Sequence, residues 1–288
     1  MAERELFLEM AGIPVRVVSD SPILDKVGMT AEYRTEPKMC ELTYHTKLVD
    51  ELPVPEGDEV YFSEGMRIFR SGDMYQRYIG SVSKRVADGH TCTQRTGKES
   101  VVYFRRSELP EGITGRIFLN AMELPYVLTS HDAFLLHASF IEYEGRAILF
   151  TAPSETGKST QAQLWCDHRG AELVNGDRAA VRVIDGKIYA CGVPFAGSSR
   201  IRKNMILPLT AIVYLSQAPE NTITKLRGFR AFRSVWEGIT LNTWDRDDVE
   251  KATQTLSTVL SGIPVYHLAC TPDVRAVELL KQTLEVDL

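Results

Sequence analysis

At 288 residues the chain can bury a substantial core, enough for one large domain or two modest ones. Its composition, 44% hydrophobic and 25% charged, is that of a soluble globular protein. Lys and Arg number 33 against 38 Asp and Glu, a formal charge of -5, so no broad cationic footprint for nucleic acid exists and no nucleic-acid partner is expected.

Glu3, Arg4, Glu5 and Glu9 interrupt the apolar region a signal peptide would need. No run reaches the roughly 18 apolar residues of a membrane span. The expectation is a cytoplasmic protein with no membrane partner. Cys40, Cys92, Cys166, Cys191 and Cys270 are scattered and never spaced as a metal-binding pair, so they read as reduced thiols with no structural zinc.

Residues 1 to about 110 look β-rich. Short β-branched or aromatic runs at 13–20 and 59–65 are bounded by Pro, Gly and Asp, as strands are, and 53–59 is a turn-rich connector. From residue 112 to 138 the apolar spacing is closer to helical, interrupted at Pro125, and a domain boundary is drawn near residue 110. The expected division is a β-rich domain over 1–110, a candidate for substrate recognition, and a nucleotide-binding α/β domain over 111–288.

Residues 139–151 read as two strands pivoting on Glu144-Gly145. The loop 151–160, TAPSETGKST, follows, and then helix formers that stop at Gly170, a natural C-cap. Strands and turns alternate beyond it, with turns at Asn175-Gly176 and Asp185-Gly186, and 209–217 reads as a buried strand. One helix is expected to be capped by Asp247 or Asp248, to carry Val249, Ala252, Leu256, Val259 and Leu260 on one face, and to end at Gly262. A strand at 264–269 and a helix opened by Thr271-Pro272 close the chain.

The order strand, glycine–lysine loop, helix is the context of a phosphate-binding loop, where backbone N–H groups and a helix N-terminus converge on phosphate. The expected nucleotide-binding set is Ala152, Ser154, Thr156, Gly157, Lys158, Ser159 and Thr160. Gly157 gives close backbone approach, Lys158 the charge, and Ser159 the Mg²⁺ contact, with Thr160 able to assist. Ala152 stands where the motif has its first glycine; if that position needs positive φ, alanine costs about 1–2 kcal/mol. Glu155 is either a solvated side chain or a base or second metal ligand near the γ-phosphate.

The segment from Leu135 to Val181, LLHASFIEYEGRAILFTAPSETGKSTQAQLWCDHRGAELVNGDRAAV, resembles the core of the HPr kinase/phosphorylase and phosphoenolpyruvate carboxykinase superfamily. His137, Lys158, Ser159 and Asp177 occupy the places of that family's strand histidine, loop lysine, loop hydroxyl and acidic motif, and the likeness extends over about residues 130–284. The resemblance implies an α/β fold: a C-terminal P-loop kinase domain of this type with a β-rich N-terminal domain.

It further implies ATP and Mg²⁺ as cofactors and Ser159 and Asp177 as metal ligands. Catalysis would fall to Asp177, His137, Glu155, Arg200 and Arg202, the arginines following a turn similar to a family loop near the phosphates. Arg178 is a further candidate for charge stabilisation. The family's acidic pair is Asp-Asp, whereas this chain has Gly176-Asp177. Either one carboxylate does two jobs, or Glu155 supplies the missing one, or only nucleotide binding remains.

The expected activity is ATP-dependent transfer of the γ-phosphate to a hydroxyl, that of a serine in a peptide or protein or of a small molecule. The alternative is a non-catalytic, nucleotide-dependent peptide-binding module; carboxykinase chemistry ranks below both. Phosphorolysis and homo-oligomer formation stay open.

Overall fold

The computed structural model describes residues 3–80, 89–108, 115–197 and 199–287. The chain divides into two compact units, Met1–Leu124 and Pro125–Leu288. The boundary expected near residue 110 falls on 109–114, outside the described residues.

The first unit is built on an eight-stranded sheet of order β1-β2-β3-β8-β7-β6-β5-β4. Its strands are β1 Arg4–Met10, β2 Ile13–Ser19, β3 Leu42–Val49, β4 Asp58–Ser63, β5 Met66–Ser71, β6 Met74–Ile79, β7 Thr91–Thr96 and β8 Glu99–Arg105. Alternation along β2 buries Ile13, Val15 and Val17 on one face, the period-two pattern of a half-covered strand. Helix α1, Gly115–Ala121, is followed by Glu123, which is 2% exposed. Its carboxylate accepts from Arg95 Nε at 3.2 Å and has Arg77 Nε at 3.8 Å, while Arg77 donates to the Asn120 carbonyl at 2.6 Å. This buried ion group fastens the segment after α1 to β6 and β7.

The second unit is mixed α/β. Its strands are β9 Ala133–Tyr143, β10 Arg146–Thr151, β11 Glu172–Asn175, β12 Arg178–Ile184, β13 Lys187–Gly192, β14 Ile206–Gln217, β15 Thr222–Leu226, β16 Ile239–Thr240 and β17 Val265–Cys270. Its helices are α2 Leu124–Thr129, α3 Lys158–Arg169, α4 Gly228–Trp236, α5 Arg246–Gly262 and α6 Val274–Asp287. Strands β10, β14 and β17 run parallel, and β9 lies antiparallel to β10. Ala162 and Trp165 of α3 and Val277 and Leu280 of α6 pack in one apolar cluster with Phe150, Val213 and Leu268. Ala231 and Val235 of α4 and Leu256 and Val259 of α5 pack in another, with Leu149, Ile212 and Val265.

The hairpin between β9 and β10 turns on Glu144 and Gly145, both with positive φ (51° and 76°), as a tight primed turn requires. Gly170 adopts φ 66° and ends α3 through its N–H to the Trp165 carbonyl. Two expectations are corrected. Helical spacing carried past residue 130 is overridden: Ala133–Tyr143 is a strand buried almost throughout, and an apolar run of that kind has no period of its own. The cap of α5 is Asp245, whose side chain accepts from the Asp247 N–H, whereas Asp248 is 1% exposed and takes hydrogen bonds from Thr129 Oγ1 at 2.9 Å and Asn242 Nδ2 at 2.8 Å. No disulfide joins the cysteines. Among the described residues no helix is long and apolar enough to cross a membrane.

Candidate functional site

The glycine–lysine loop leaves the carboxyl end of β10 and enters α3 at Lys158. Positive φ falls on Glu155 (64°) and Gly157 (115°), and Ala152 is not among the positive-φ residues. The missing first glycine therefore costs no left-handed strain at Ala152, which is buried; the strained residue is Glu155. Lys158, 7% exposed, folds back over the loop and donates from Nζ to the carbonyls of Ala152 at 3.0 Å and Pro153 at 3.1 Å. Thr156 Oγ1 donates to the same Pro153 carbonyl at 2.9 Å. Burial holds the Lys158 ammonium below its ordinary value, with Asp177 pulling it back up. Ser154, Glu155, Ser159 and Thr160 are exposed.

His137 and Asp177 meet through strand register. Arg178, first residue of β12, pairs with His137 in the middle of β9. That places the Asp177 Oδ1 3.6 Å from His137 Nε2. His137 is fixed from three sides: its N–H donates to the Gly238 carbonyl at 2.8 Å, its carbonyl accepts from Thr151 Oγ1 at 3.0 Å, and its ring faces Asp177. Burial, then the charge of Lys158, hold its imidazole below the ordinary 6.5, against the raising pull of Asp177. Lys158, His137 and Asp177 are thus electrostatic neighbours at the carboxyl end of β10.

Asp177 is held by an Asn. Asn175, fully buried, accepts the N–H groups of Asp177 at 2.9 Å and Arg178 at 3.0 Å on its Oδ1. Its Nδ2 donates to the carbonyls of Val193 at 3.2 Å and Phe195 at 2.6 Å, pinning the segment after β13. Arg178 Nε sits 3.4 Å from Asp177 Oδ2, and its NH1 donates to Thr240 Oγ1 at 2.8 Å. The anchoring roles of Asn175, Thr151, Gly238 and Thr240 are not visible in the sequence. Asn175-Gly176 reads as a turn, and only the acceptor capacity of an Asn before a turn hints at more.

A Cβ at Gly176 would fall 2.7 Å from Ser199 Oγ, so a side chain there requires the Ser199 hydroxyl to turn away. Gly197 passes as closely, its notional Cβ lying 2.9 Å from the Asp177 Cβ. Arg200, exposed with φ 57°, and Arg202, whose backbone bridges to Asn175, follow this segment. Arg202 NH1 donates to the Arg200 carbonyl at 3.4 Å. Ser198, part of the turn singled out before these arginines, lies outside the described residues.

Glu155 is exposed on the loop. With Thr156, Gly157, Thr160 and Gln161 it borders a cleft of about 590 Å³ whose other wall is formed by Leu215, Gln217 and Ala218 at the carboxyl end of β14 and by Cys270, Thr271 and Pro272 at the carboxyl end of β17. A larger open cavity, about 1000 Å³, lies against Thr210 and Ile263–Val265 at the opposite, amino ends of β14 and β17, away from these groups.

No protein-family model and no curated protein matches the chain. Among solved structures, the Hpr(Ser) kinase/phosphatase from Coxiella burnetii matches with 13% identity and a TM-score of 0.31, covering 54% of this chain and 99% of that one. A likeness this distant carries no argument about function, which is drawn from the residues themselves.

Proposed function

We propose that the chain is a kinase resembling the HPr kinases: it binds ATP on the loop Ala152–Thr160 and transfers the γ-phosphate to a hydroxyl, that of a serine in a peptide or protein or of a small molecule. The observation that carries this reading is the gathering of Lys158, His137 and Asp177 where β10 gives way to α3. Phosphoryl transfer needs positioning and charge neutralisation above all, and a lysine, a helix N-terminus and one carboxylate are the parts it uses.

Lys158 leaves the Ala152 and Pro153 carbonyls for the phosphates, to which the N–H groups opening α3 are also free to donate. Asp177 accepts the proton of the acceptor hydroxyl, steadied by Arg178 and by the Asx turn at Asn175. His137, uncharged at neutral pH, orients that carboxylate without adding a second cation beside Lys158. The described residues contain no cluster of three or more His, Cys, Asp or Glu able to hold a metal, which fits an ion held by one carboxylate, a hydroxyl and phosphate oxygens. Asp177 and Ser159 are the groups that would hold Mg²⁺, and the ion would supply charge neutralisation on the transferred group. Glu155, Arg200 and Arg202 are assigned no step.

The test is nucleotide binding by calorimetry together with transfer from labelled ATP to a panel of serine peptides and small hydroxyl compounds. Lys158→Met should weaken ATP by roughly tenfold to a hundredfold, the worth of a charge-assisted contact of about 1.5–3 kcal/mol. Asp177→Asn should retain ATP and abolish transfer. ATP binding unaffected by Lys158→Met would end the proposal. One observation favours a second reading, a nucleotide-dependent peptide-binding module without catalysis: Gly176 leaves Asp177 as a lone carboxylate serving both proton and metal. ATP bound without transfer to any acceptor would select it.

A further inference from the structure

The cleft beside the loop has a chemistry of its own. It sits outside the carboxyl ends of the parallel strands β14 and β17, the edge of an α/β sheet where ligands bind. Its volume, about 590 Å³, is that of a small-molecule pocket. Among the described residues Glu155 is the one charged group lining it; Leu215, Ala218, Cys270 and Pro272 give it apolar walls. Such a slot suits a flat, neutral, aromatic ligand better than a charged peptide.

One wall group is left wanting a partner. Gln161 is 2% exposed, and its Nε2 has no hydrogen-bond partner among the described residues. Its backbone N–H is already committed to the Gly157 carbonyl at 2.9 Å, so the side-chain amide is the spare group. A buried donor left unmatched is destabilising, and a ligand acceptor that reaches it recovers that loss. The far wall is preformed: Thr271 N–H and Oγ1 both donate to Asn221 Oδ1, at 2.8 and 3.2 Å, and the Ala218 N–H donates to the Cys270 carbonyl at 3.1 Å. Gln217 Nε2 reaches the Glu155 carbonyl at 3.5 Å and ties the loop to the end of β14.

We propose that this cleft receives the base of a purine nucleotide whose phosphates lie on the adjoining loop, and that the Gln161 carboxamide reads the donor–acceptor edge of the base. A Gln side chain matches adenine with two parallel hydrogen bonds, one given and one accepted. The base lies between the apolar walls, with Glu155 at the rim facing water. This assignment rests on the triphosphate reading of the loop, and the experiment separates the two.

Binding of MgATP and of inorganic tripolyphosphate with Mg²⁺ is measured by calorimetry on the full chain and on two variants, each checked for native unfolding by circular dichroism. The parent should bind ATP at least tenfold tighter than tripolyphosphate. Gln161→Leu, of similar size and without polar atoms, should cost ATP about tenfold and change tripolyphosphate less than twofold. Ala218→Trp, which fills the cleft from its rim, should give the same split. Equal affinity of the parent for the two ligands, ATP affinity untouched by both substitutions, or a parallel loss of both ligands in Gln161→Leu would overturn the base assignment. Failure of the parent to bind tripolyphosphate would instead bring down the phosphate reading, and the base site with it.

Discussion

Substituting glycine at two positions of the same loop tests its backbone directly, because the two changes should move stability in opposite directions. Glu155 sits at φ 64°, a conformation costing an L-residue about 1–2 kcal/mol. Glycine there removes that cost but adds unfolded-state entropy worth about 0.5–1 kcal/mol. Glu155→Gly should therefore stabilise by about 0.5 kcal/mol and raise Tm by roughly 1–2 °C, using the slope for a unit of about 150–250 residues.

Ala152 gains nothing from glycine's freedom. It is 6% exposed, so Ala152→Gly loses a buried methyl, about 0.8 kcal/mol, and adds about 0.5–1 kcal/mol of backbone entropy. The expected loss is about 1.5 kcal/mol, a Tm lower by roughly 3–6 °C. Paired thermal and urea unfolding of the two variants measures the difference, about 2 kcal/mol from the two sums taken together. Stabilisation by Ala152→Gly together with destabilisation by Glu155→Gly would place the strain at 152 and refute the loop geometry.

The imidazole of His137 should titrate below 6.5 when followed by its ring-proton resonances; Lys158→Met should raise that value and Asp177→Asn should lower it further, and a value indifferent to both would mean that the three groups do not meet. Because its folded pKa lies below the unfolded 6.5, the unfolded chain binds more protons between the two values, so stability should fall as pH drops through that window and be level above it. Glu123→Ala removes the buried carboxylate that faces Arg95, whose side chain is 7% exposed, and should destabilise the first unit by about 3–5 kcal/mol in urea titration; a loss under 1 kcal/mol would show the group to be wet. Gly176→Asp should cost about 1 kcal/mol, the low end for overpacking because Ser199 is exposed and can turn, and Ser199→Ala should recover most of it; an unrecovered loss would point to a neighbour other than Ser199.

The features legible in the amino-acid order are those written by residues close together in the chain. The hairpins at Glu144-Gly145 and Asp185-Gly186, the stop at Gly170 and the strand–loop–helix order follow from turn chemistry and caps, which act within a few residues. A family resemblance nominated His137, Lys158 and Asp177, but nothing local to any of them says that they meet. That depended on β12 pairing with β9 in the register that sets Arg178 beside His137. The α5 cap shows the same limit: three aspartates crowd the helix start, and a hydrogen bond to Thr129, 119 residues away in sequence, draws Asp248 inward and leaves capping to Asp245.

Likewise the period of Ala133–Tyr143 is erased because packing covers both faces of the strand, and strain settles on Glu155, whose place in the loop is fixed by the ends of β10 and α3. The sequence by itself determined which groups could do chemistry and where the chain must turn. Tertiary structure alone decided which of those groups face one another, because burial, strand register and close approach depend on parts of the chain that no short stretch contains.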